Sequence, residues 1–106
     1  MKKESEMKEI KCLIKDMCYE LDAAENYAKH AMKNKENHPE LAETYAHVAR
    51  EELNHMELFH AAAVRMIEES GKTVPEGMRA IWEYEHEKLM ERDAEIRVKL
   101  GLYDGR

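Results

Sequence analysis

The chain has 106 residues, of which 43% are hydrophobic and 38% are charged, and its net charge is −6. This length fits one domain, which we place over residues 1–106, and the acidic balance disfavours nucleic acid as a partner and favours cations. No apolar run reaches the roughly 18 residues of a membrane span, and the lysines at positions 2 and 3 precede no apolar signal segment. We therefore expect a cytoplasmic protein with neither a membrane nor a nucleic-acid partner.

Only four glycines and two prolines interrupt the chain, a composition typical of long helices. The first predicted helix runs from about residue 5 to residue 32. Its apolar positions recur in steps of three and four, which indicates one broad buried face. The members of this face are Met7, Ile10, Ile14, Met17, Leu21, Ala24, Ala28 and Ala31, widened by Leu13 and Tyr27.

A polar stretch over residues 33–38 ends this pattern, and Pro39 is favourable in the first turn of a second helix. We predict that this helix covers residues 39–70 and stops at a Gly71 cap. After a turn over residues 72–77, a third helix spans about 76–100 and residues 101–106 form a short tail. Its apolar stripe consists of Met78, Ile81, Trp82, Leu89, Ile96 and Leu100. The predicted fold class is all-α, an antiparallel helical hairpin plus a third helix.

Two polar residues interrupt the apolar row of the second helix. That row, in steps of four and three, is Leu41, Tyr45, Val48, Glu52, His55, Phe59, Ala62 and Met66. We therefore expect Glu52 and His55 in the middle of the buried seam, where an isolated carboxylate is costly unless it is paired, protonated or bound to a metal. Residues three apart share a helix face, and carboxylate with imidazole suits iron, manganese or zinc. A buried Glu–His hydrogen bond without a metal explains this pair equally well.

The first helix supplies a carboxylate at the same height. Folding the two helices back around residues 36–37 brings Glu52 level with residues 20–22, and Glu20 lies within the apolar face of its own helix. Two helices thus direct carboxylates to one place, which favours a metal site over a single Glu–His hydrogen bond. Tyr27 either places its hydroxyl near this site as a hydrogen-bond donor or packs as a core tyrosine.

Two further Glu-x-x-His motifs are weaker candidates. Glu57 precedes His60 by three residues but points away from the seam, by about 140° at 100° per residue. In the third helix, Glu83 lies on the far side of the apolar stripe and His86 lies at its border. If the third helix supplies a ligand at all, Glu85 is favoured over His86 because it lies inside the stripe.

The cysteines and the remaining histidines are expected to be structural or solvated. Cys12 and Cys18 are six residues apart on one helix, so they point to different faces and cannot form a disulfide with each other. No CxxC motif is present to ligate a rubredoxin-like iron, and both thiols are predicted to be half-buried packing groups. His30, His38 and His47 lie off the seam or in the loop and are predicted to be surface residues.

The motif as a whole resembles the first helix pair of ferritin-like proteins such as bacterioferritins and rubrerythrins. It consists of Glu20, Tyr27 seven residues later, and Glu52-x-x-His55, and the resemblance covers about residues 17–66. That superfamily uses one Glu from each of two helices and Glu-x-x-His from each of two others. Short encapsulated ferritins, which this sequence also resembles, join two hairpins across a two-fold axis. The resemblance implies a ferritin-like four-helix bundle completed by dimerisation.

The same resemblance implies a function. Glu20, Glu52 and His55 would be metal ligands and, with Tyr27, the catalytic residues of a ferroxidase that oxidises Fe(II) with dioxygen for iron detoxification or storage. The expected metal is iron, two per dimer, with manganese or zinc as alternatives. The implied partners are a homodimer or higher homo-oligomer and an encapsulin shell, a protein nanocompartment.

Two other functions remain open. One is a non-catalytic ferritin-like structural or interaction module with a buried Glu–His cluster or a structural zinc. The other is a peroxidase similar to rubrerythrin, which is disfavoured because the cysteine-ligated iron is missing.

Overall fold

A computed structural model describes residues 2–70 and 76–105, and this part of the chain contains three helices and no strand. The helices are α1 (Lys2–Asn34), α2 (Pro39–Ser70) and α3 (Glu76–Tyr103). The all-α class and the three predicted helices are confirmed. The predicted Gly71 cap and most of the turn that follows it lie outside the described residues. None of the described helices combines the length and the apolarity that a membrane span requires.

The connection between α1 and α2 is short and hydrogen-bonded. The Asn34 side chain caps the end of α1 by donating to the His30 carbonyl at 2.8 Å, and the His38 amide donates to the Asn34 carbonyl at 2.8 Å. Pro39 is the first residue of α2, where its missing amide hydrogen costs nothing. The turn therefore returns the chain as an antiparallel hairpin, as predicted.

The predicted face of α1 forms the core of the hairpin. Seven of its eight members are buried, Met7 packs against them half-buried, and Leu13 and Tyr27 also flank the core. The buried members are Ile10, Ile14, Met17, Leu21, Ala24, Ala28 and Ala31. The register of α1 is therefore confirmed.

The register of α2 differs from the prediction by one residue, or about 100° of rotation. Its buried positions are Ala42, Ala46, Ala49, Leu53, Met56, Ala63 and Ile67. The predicted row lies beside this seam, so the expectation that Glu52 and His55 occupy its middle is wrong. The side chain of His55 is 51% exposed and that of Glu52 is 22% exposed. The physical reason is that alanines allow α1 and α2 to approach closely, and this close contact takes precedence over burial of the larger side chains.

Helix α3 lies mainly against α1 and makes few contacts with α2. Most of its predicted stripe is buried, but Ile81 is 49% exposed, which corrects that part of the prediction. Ion pairs connect α3 to both α1 and α2. Arg92 donates to Asp22 of α1 at 2.7 Å, and Arg97 donates to Glu57 of α2 at 2.6 Å.

The predicted tail is partly helical, because α3 continues to Tyr103. The Tyr103 ring is buried, and its hydroxyl donates to the Glu43 carboxylate of α2 at 2.8 Å. The Lys35 ammonium donates to the Tyr103 carbonyl at 2.5 Å, and Arg50 donates to the Asp104 carboxylate at 2.6 Å. These contacts are long-range in sequence, so they could not be inferred from the local pattern of residues 101–106.

Because the last turn of α3 packs against the hairpin, substitutions of Tyr103 should lower stability by graded amounts. Tyr103→Phe removes one hydrogen bond and should lower the free energy of unfolding by about 1 kcal/mol, whereas Tyr103→Ala also removes a buried ring and should cost about 3 kcal/mol. Leu102→Ala is the control, since Leu102 is exposed and should change stability by less than about 0.5 kcal/mol. Urea denaturation measures all three, and equal effects of Tyr103→Ala and Leu102→Ala would contradict the docking.

Candidate metal centre

Glu20, Glu52 and His55 meet at one edge of the α1–α2 hairpin. Because the helices are antiparallel and joined by a short turn, Glu20 on α1 lies at the height of Glu52 on α2. His55 follows Glu52 by three residues, so it shares the same helix face. Leu21 follows Glu20 and Leu53 follows Glu52, and both leucines are buried in the hairpin core. The packing of these two leucines places the three polar side chains at the border of the core.

The three side chains come close enough to share an ion. One ligand atom from each lies within 4.8 Å of the other two. The His55 Nδ1 is 3.5 Å from Glu20 Oε2 and 3.8 Å from Glu52 Oε2. Atoms bound directly to one transition metal lie at most about 4.4 Å apart, since each bond is about 2.0–2.2 Å long. Both distances from the His55 Nδ1 are already below this limit.

The electrostatics of the cluster favour added positive charge. The pKa of Glu52 is raised, first by a side-chain hydrogen bond with Glu20, then by burial and by the negative charge of Glu20, while His55 acts in the opposite direction. One oxygen of the Glu20 carboxylate, Oε2, is buried and has no hydrogen-bond partner. Two carboxylates that share one small site repel each other when both are ionised. A cation would remove this repulsion and give Glu20 Oε2 a partner.

The donor set therefore fits a first-row divalent ion. Carboxylate oxygen and imidazole nitrogen are suitable ligands for iron, manganese and zinc, whereas a site for calcium would consist of oxygen donors. The chain supplies three donors, and such ions take four to six. The set in one chain is thus chemically suitable, and water or donors from a second chain would supply the remaining ligands.

Tyr27 lies near one end of this edge, where its ring stacks on that of Tyr45 with centroids 6.1 Å apart. The Tyr45 ring also stacks on the His30 imidazole at 4.9 Å. Both tyrosines are half-buried. The structure thus places Tyr27 in an aromatic group, and its predicted role as a donor to the metals stays a prediction.

The edge that carries the cluster also carries an apolar row of α2. The predicted α2 row runs along it, with Leu41 exposed and four of its other members half-buried: Tyr45, Val48, Phe59 and Met66. His60, which contacts α3, is about 140° around α2 from His55. The cluster and α3 therefore lie on different sides of α2.

Helix α3 contributes no residue to the described cluster, which consists of α1 and α2 residues. Glu85, the favoured third-helix candidate, lies near Cys18, whose pKa is raised first by burial and then by the negative charge of Glu85. Cys18 is half-buried as predicted, whereas Cys12 is exposed, which corrects that prediction.

His86, the other third-helix candidate, contacts His60 of α2. Their Nε2 atoms are 2.8 Å apart. Each histidine ends a Glu-x-x-His motif that is weak by itself, and no local pattern in the sequence indicates that the two imidazoles pair. Aligning residue positions along α2 with those along the returning α3 could have indicated that His60 and His86 lie side by side.

Comparison of the chain with protein-family models, with curated proteins and with solved structures finds no significant match. The likeness to ferritin-like proteins therefore rests on the motif alone.

Because the pKa of Glu52 is raised, ionisation of this carboxylate should lower the stability of the folded, metal-free protein. Between the ordinary value of 4.5 and the raised folded value, the folded state binds more protons than the unfolded state, so stability falls as pH rises. Glu52→Gln removes this cost, so the variant should be more stable than the wild type above that window and equally stable below about pH 4.5.

Thermal unfolding in the presence of a chelator, followed across this pH range, measures the difference. Glu68→Gln, which removes an exposed carboxylate on the same helix, controls for the loss of one negative charge. A wild-type advantage over Glu52→Gln at neutral pH would contradict the predicted sign.

Proposed function

We propose that two copies of this chain form a dimer that binds two Fe(II) ions and oxidises them with dioxygen. The observation that carries the proposal is the convergence of Glu20, Glu52 and His55, with one ligand atom of each within 4.8 Å of the others. Three donors are half of the set that ferritin-like bundles use. A second copy related by a two-fold axis would supply the other half.

The surface around the cluster supports this arrangement. Leu41 is exposed, and the half-buried Val48 and Phe59 lie one turn on either side of Glu52 and His55. Burial of such a row against its own symmetry mate would stabilise a dimer by the hydrophobic effect. It would also take the two carboxylates of each chain out of water, which strengthens their attraction for cations.

Iron is the substrate in this proposal. Each of two Fe(II) ions gives up one electron, and dioxygen takes up both electrons with two protons to leave as hydrogen peroxide. By the resemblance to ferritin-like proteins, Glu52 would bridge the two ions, Glu20 would be a terminal ligand and His55 would give each ion one nitrogen. Tyr27 would supply a hydrogen-bond donor near the reacting oxygen. The carboxylates neutralise the positive charge that increases as Fe(II) becomes Fe(III).

The surroundings fit a protein that collects cations. The chain carries 23 acidic against 17 basic side chains, and an acidic surface raises the local concentration of incoming metal ions. The physiological role would be iron detoxification, or delivery of iron to a storage compartment such as an encapsulin shell. Manganese or zinc would occupy the same donors where either metal is more abundant.

The rival function is a structural or interaction module. The raised pKa of Glu52, caused first by a side-chain hydrogen bond with Glu20, and the position of His55 within 4 Å of both carboxylates are also what a polar cluster without a metal would show. A single structural zinc would satisfy the same donors. Both forms of this alternative lack redox activity, so iron oxidation separates them from the ferroxidase.

An anaerobic Fe(II) titration of metal-stripped protein tests the ferroxidase directly. We expect saturation near about two ions per dimer, followed by rapid ferric absorbance when air is admitted. Glu52→Ala and Glu20→Ala each remove a proposed ligand and should weaken binding by at least about 100-fold, more than the loss of a group that only supports a ligand. Glu68→Gln is the matched control and should bind iron as the wild type does.

Unchanged iron affinity in Glu52→Ala would show that the ligand assignment is wrong. No iron uptake by an intact dimer would favour the structural module instead.

The dimer surface generates a second prediction. Leu41→Glu introduces a charge into the apolar row and should dissociate the dimer at micromolar concentration, with loss of iron oxidation, because a buried unpaired carboxylate is costly. Leu102→Glu makes the same change at an exposed leucine of α3 and should leave both properties intact. Sedimentation velocity measures the association state, and a Leu41→Glu dimer with full activity would exclude this face as the interface.

A further inference from the structure

A second group of metal-binding side chains lies between α2 and α3. The Nε2 atoms of His60 and His86 are 2.8 Å apart, and the two imidazole rings stack with centroids 4.9 Å apart. The Trp82 ring packs beside both, 6.0 Å from His60 and 5.2 Å from His86. Both histidines are half-buried. Nothing in the proposed iron chemistry uses this pair.

The separation of the two nitrogens fits two neighbouring ligands of one metal ion. With metal–nitrogen bonds of about 2.0–2.1 Å, ligands at a right angle lie about 2.9 Å apart, and tetrahedral ligands lie about 3.4 Å apart. The observed 2.8 Å is close to the first value. Right-angled nitrogen ligands are typical of tetragonal ions such as Cu(II) and Ni(II).

Carboxylates also lie close to His86 on α3. His86 lines a shallow groove on α3 together with Glu83, Glu87, Met90 and Glu91. Glu83 precedes His86 by three residues, so its carboxylate is on the same helix face. Among the described residues, no third carboxylate, thiol or imidazole has a ligand atom within 4.8 Å of both imidazoles, so Glu83 would have to change its rotamer to reach an ion held there, and water would complete the coordination.

The protonation state of the pair suits a metal. Burial and the neighbouring His86 lower the pKa of His60, although Asp93 and Glu57 act in the opposite direction. A neutral imidazole keeps the lone pair that a metal requires. In the metal-free pair one Nε2 donates its proton to the other, and a bound ion would take the place of that proton after the donor ring shifts its proton to Nδ1.

We propose that His60 and His86 form a second site, which takes a late first-row divalent ion with Glu83 as an accessory ligand. The site is distinct from Glu20, Glu52 and His55 and is independent of the proposed ferroxidase function. Helix α3 makes few contacts with α2, so an ion bound by one residue of each helix would fasten the two together. Metal binding here would therefore stabilise the three-helix arrangement by mass action.

Trp82 provides a reporter for the test, because it is the chain's one tryptophan. The protein is the full-length Glu52→Ala variant, which removes a ligand of the first site. Titration with Cu(II), the ion that such donors bind most tightly, should quench the Trp82 fluorescence and saturate at one ion per chain. Zn(II), added separately, should raise the temperature of unfolding.

Phenylalanine variants separate ligation from packing. His60→Phe and His86→Phe, each in the Glu52→Ala background, keep an aromatic ring but remove the nitrogen, and should weaken Cu(II) binding by at least about tenfold. His47→Gln in the same background is the control, because the side chain of His47 is 72% exposed, and it should bind Cu(II) unchanged.

Electron paramagnetic resonance of the Cu(II)-loaded Glu52→Ala protein gives a readout that needs no further variant. Coupling of the copper to two imidazole nitrogens is the expected result. Coupling to fewer than two, quenching that does not saturate, or unchanged affinity in both phenylalanine variants would overturn the second site.

Discussion

The close approach of α1 and α2 determines where the three proposed metal ligands of the hairpin lie. Alanines occupy the seam on both helices and are fully buried: Ala24, Ala28, Ala31, Ala42, Ala46 and Ala49. With side chains this small, the two backbones pack closely and the rotation of α2 is fixed. This rotation places Glu52 and His55 beside Glu20 at the edge of the core. A bulkier residue in the seam would separate the helices and so the ligands, even though it touched none of them.

The sequence predicted the helices and the face of α1, because apolar residues there recur at one unambiguous spacing. It did not predict the rotation of α2, since two neighbouring rows on that helix are both apolar and pattern alone favours the one with larger side chains. The docking of Tyr103 onto Glu43 and the pairing of His60 with His86 also escaped prediction, because each joins residues of separate helices. The three metal-ligand candidates were nevertheless identified. Antiparallel folding about a short loop fixes which residues of α1 and α2 lie side by side along the helix axes, even when the rotation of α2 about its own axis is uncertain.

The corrected position of the cluster has a chemical consequence. In the middle of the hairpin seam, Glu52 and His55 would be enclosed by one chain, with no space for ligands from a second. At the edge they are half-exposed and incomplete, and the row around them is apolar rather than charged. A cluster of this kind would be completed by a symmetry mate, which would also cover the exposed Leu41. The proposed two-fold dimer would therefore account for both the position of the cluster and the apolar row beside it.

Diffraction from crystals grown with Fe(II) under anaerobic conditions, recorded on both sides of the iron absorption edge, locates iron without reference to any activity. Two anomalous peaks are expected beside a two-fold axis, each within bonding distance of Glu20, Glu52 and His55, with both chains contributing ligands. Iron bound by one chain alone, or iron at other residues while these three keep their mutual contacts, would contradict the proposed two-fold site.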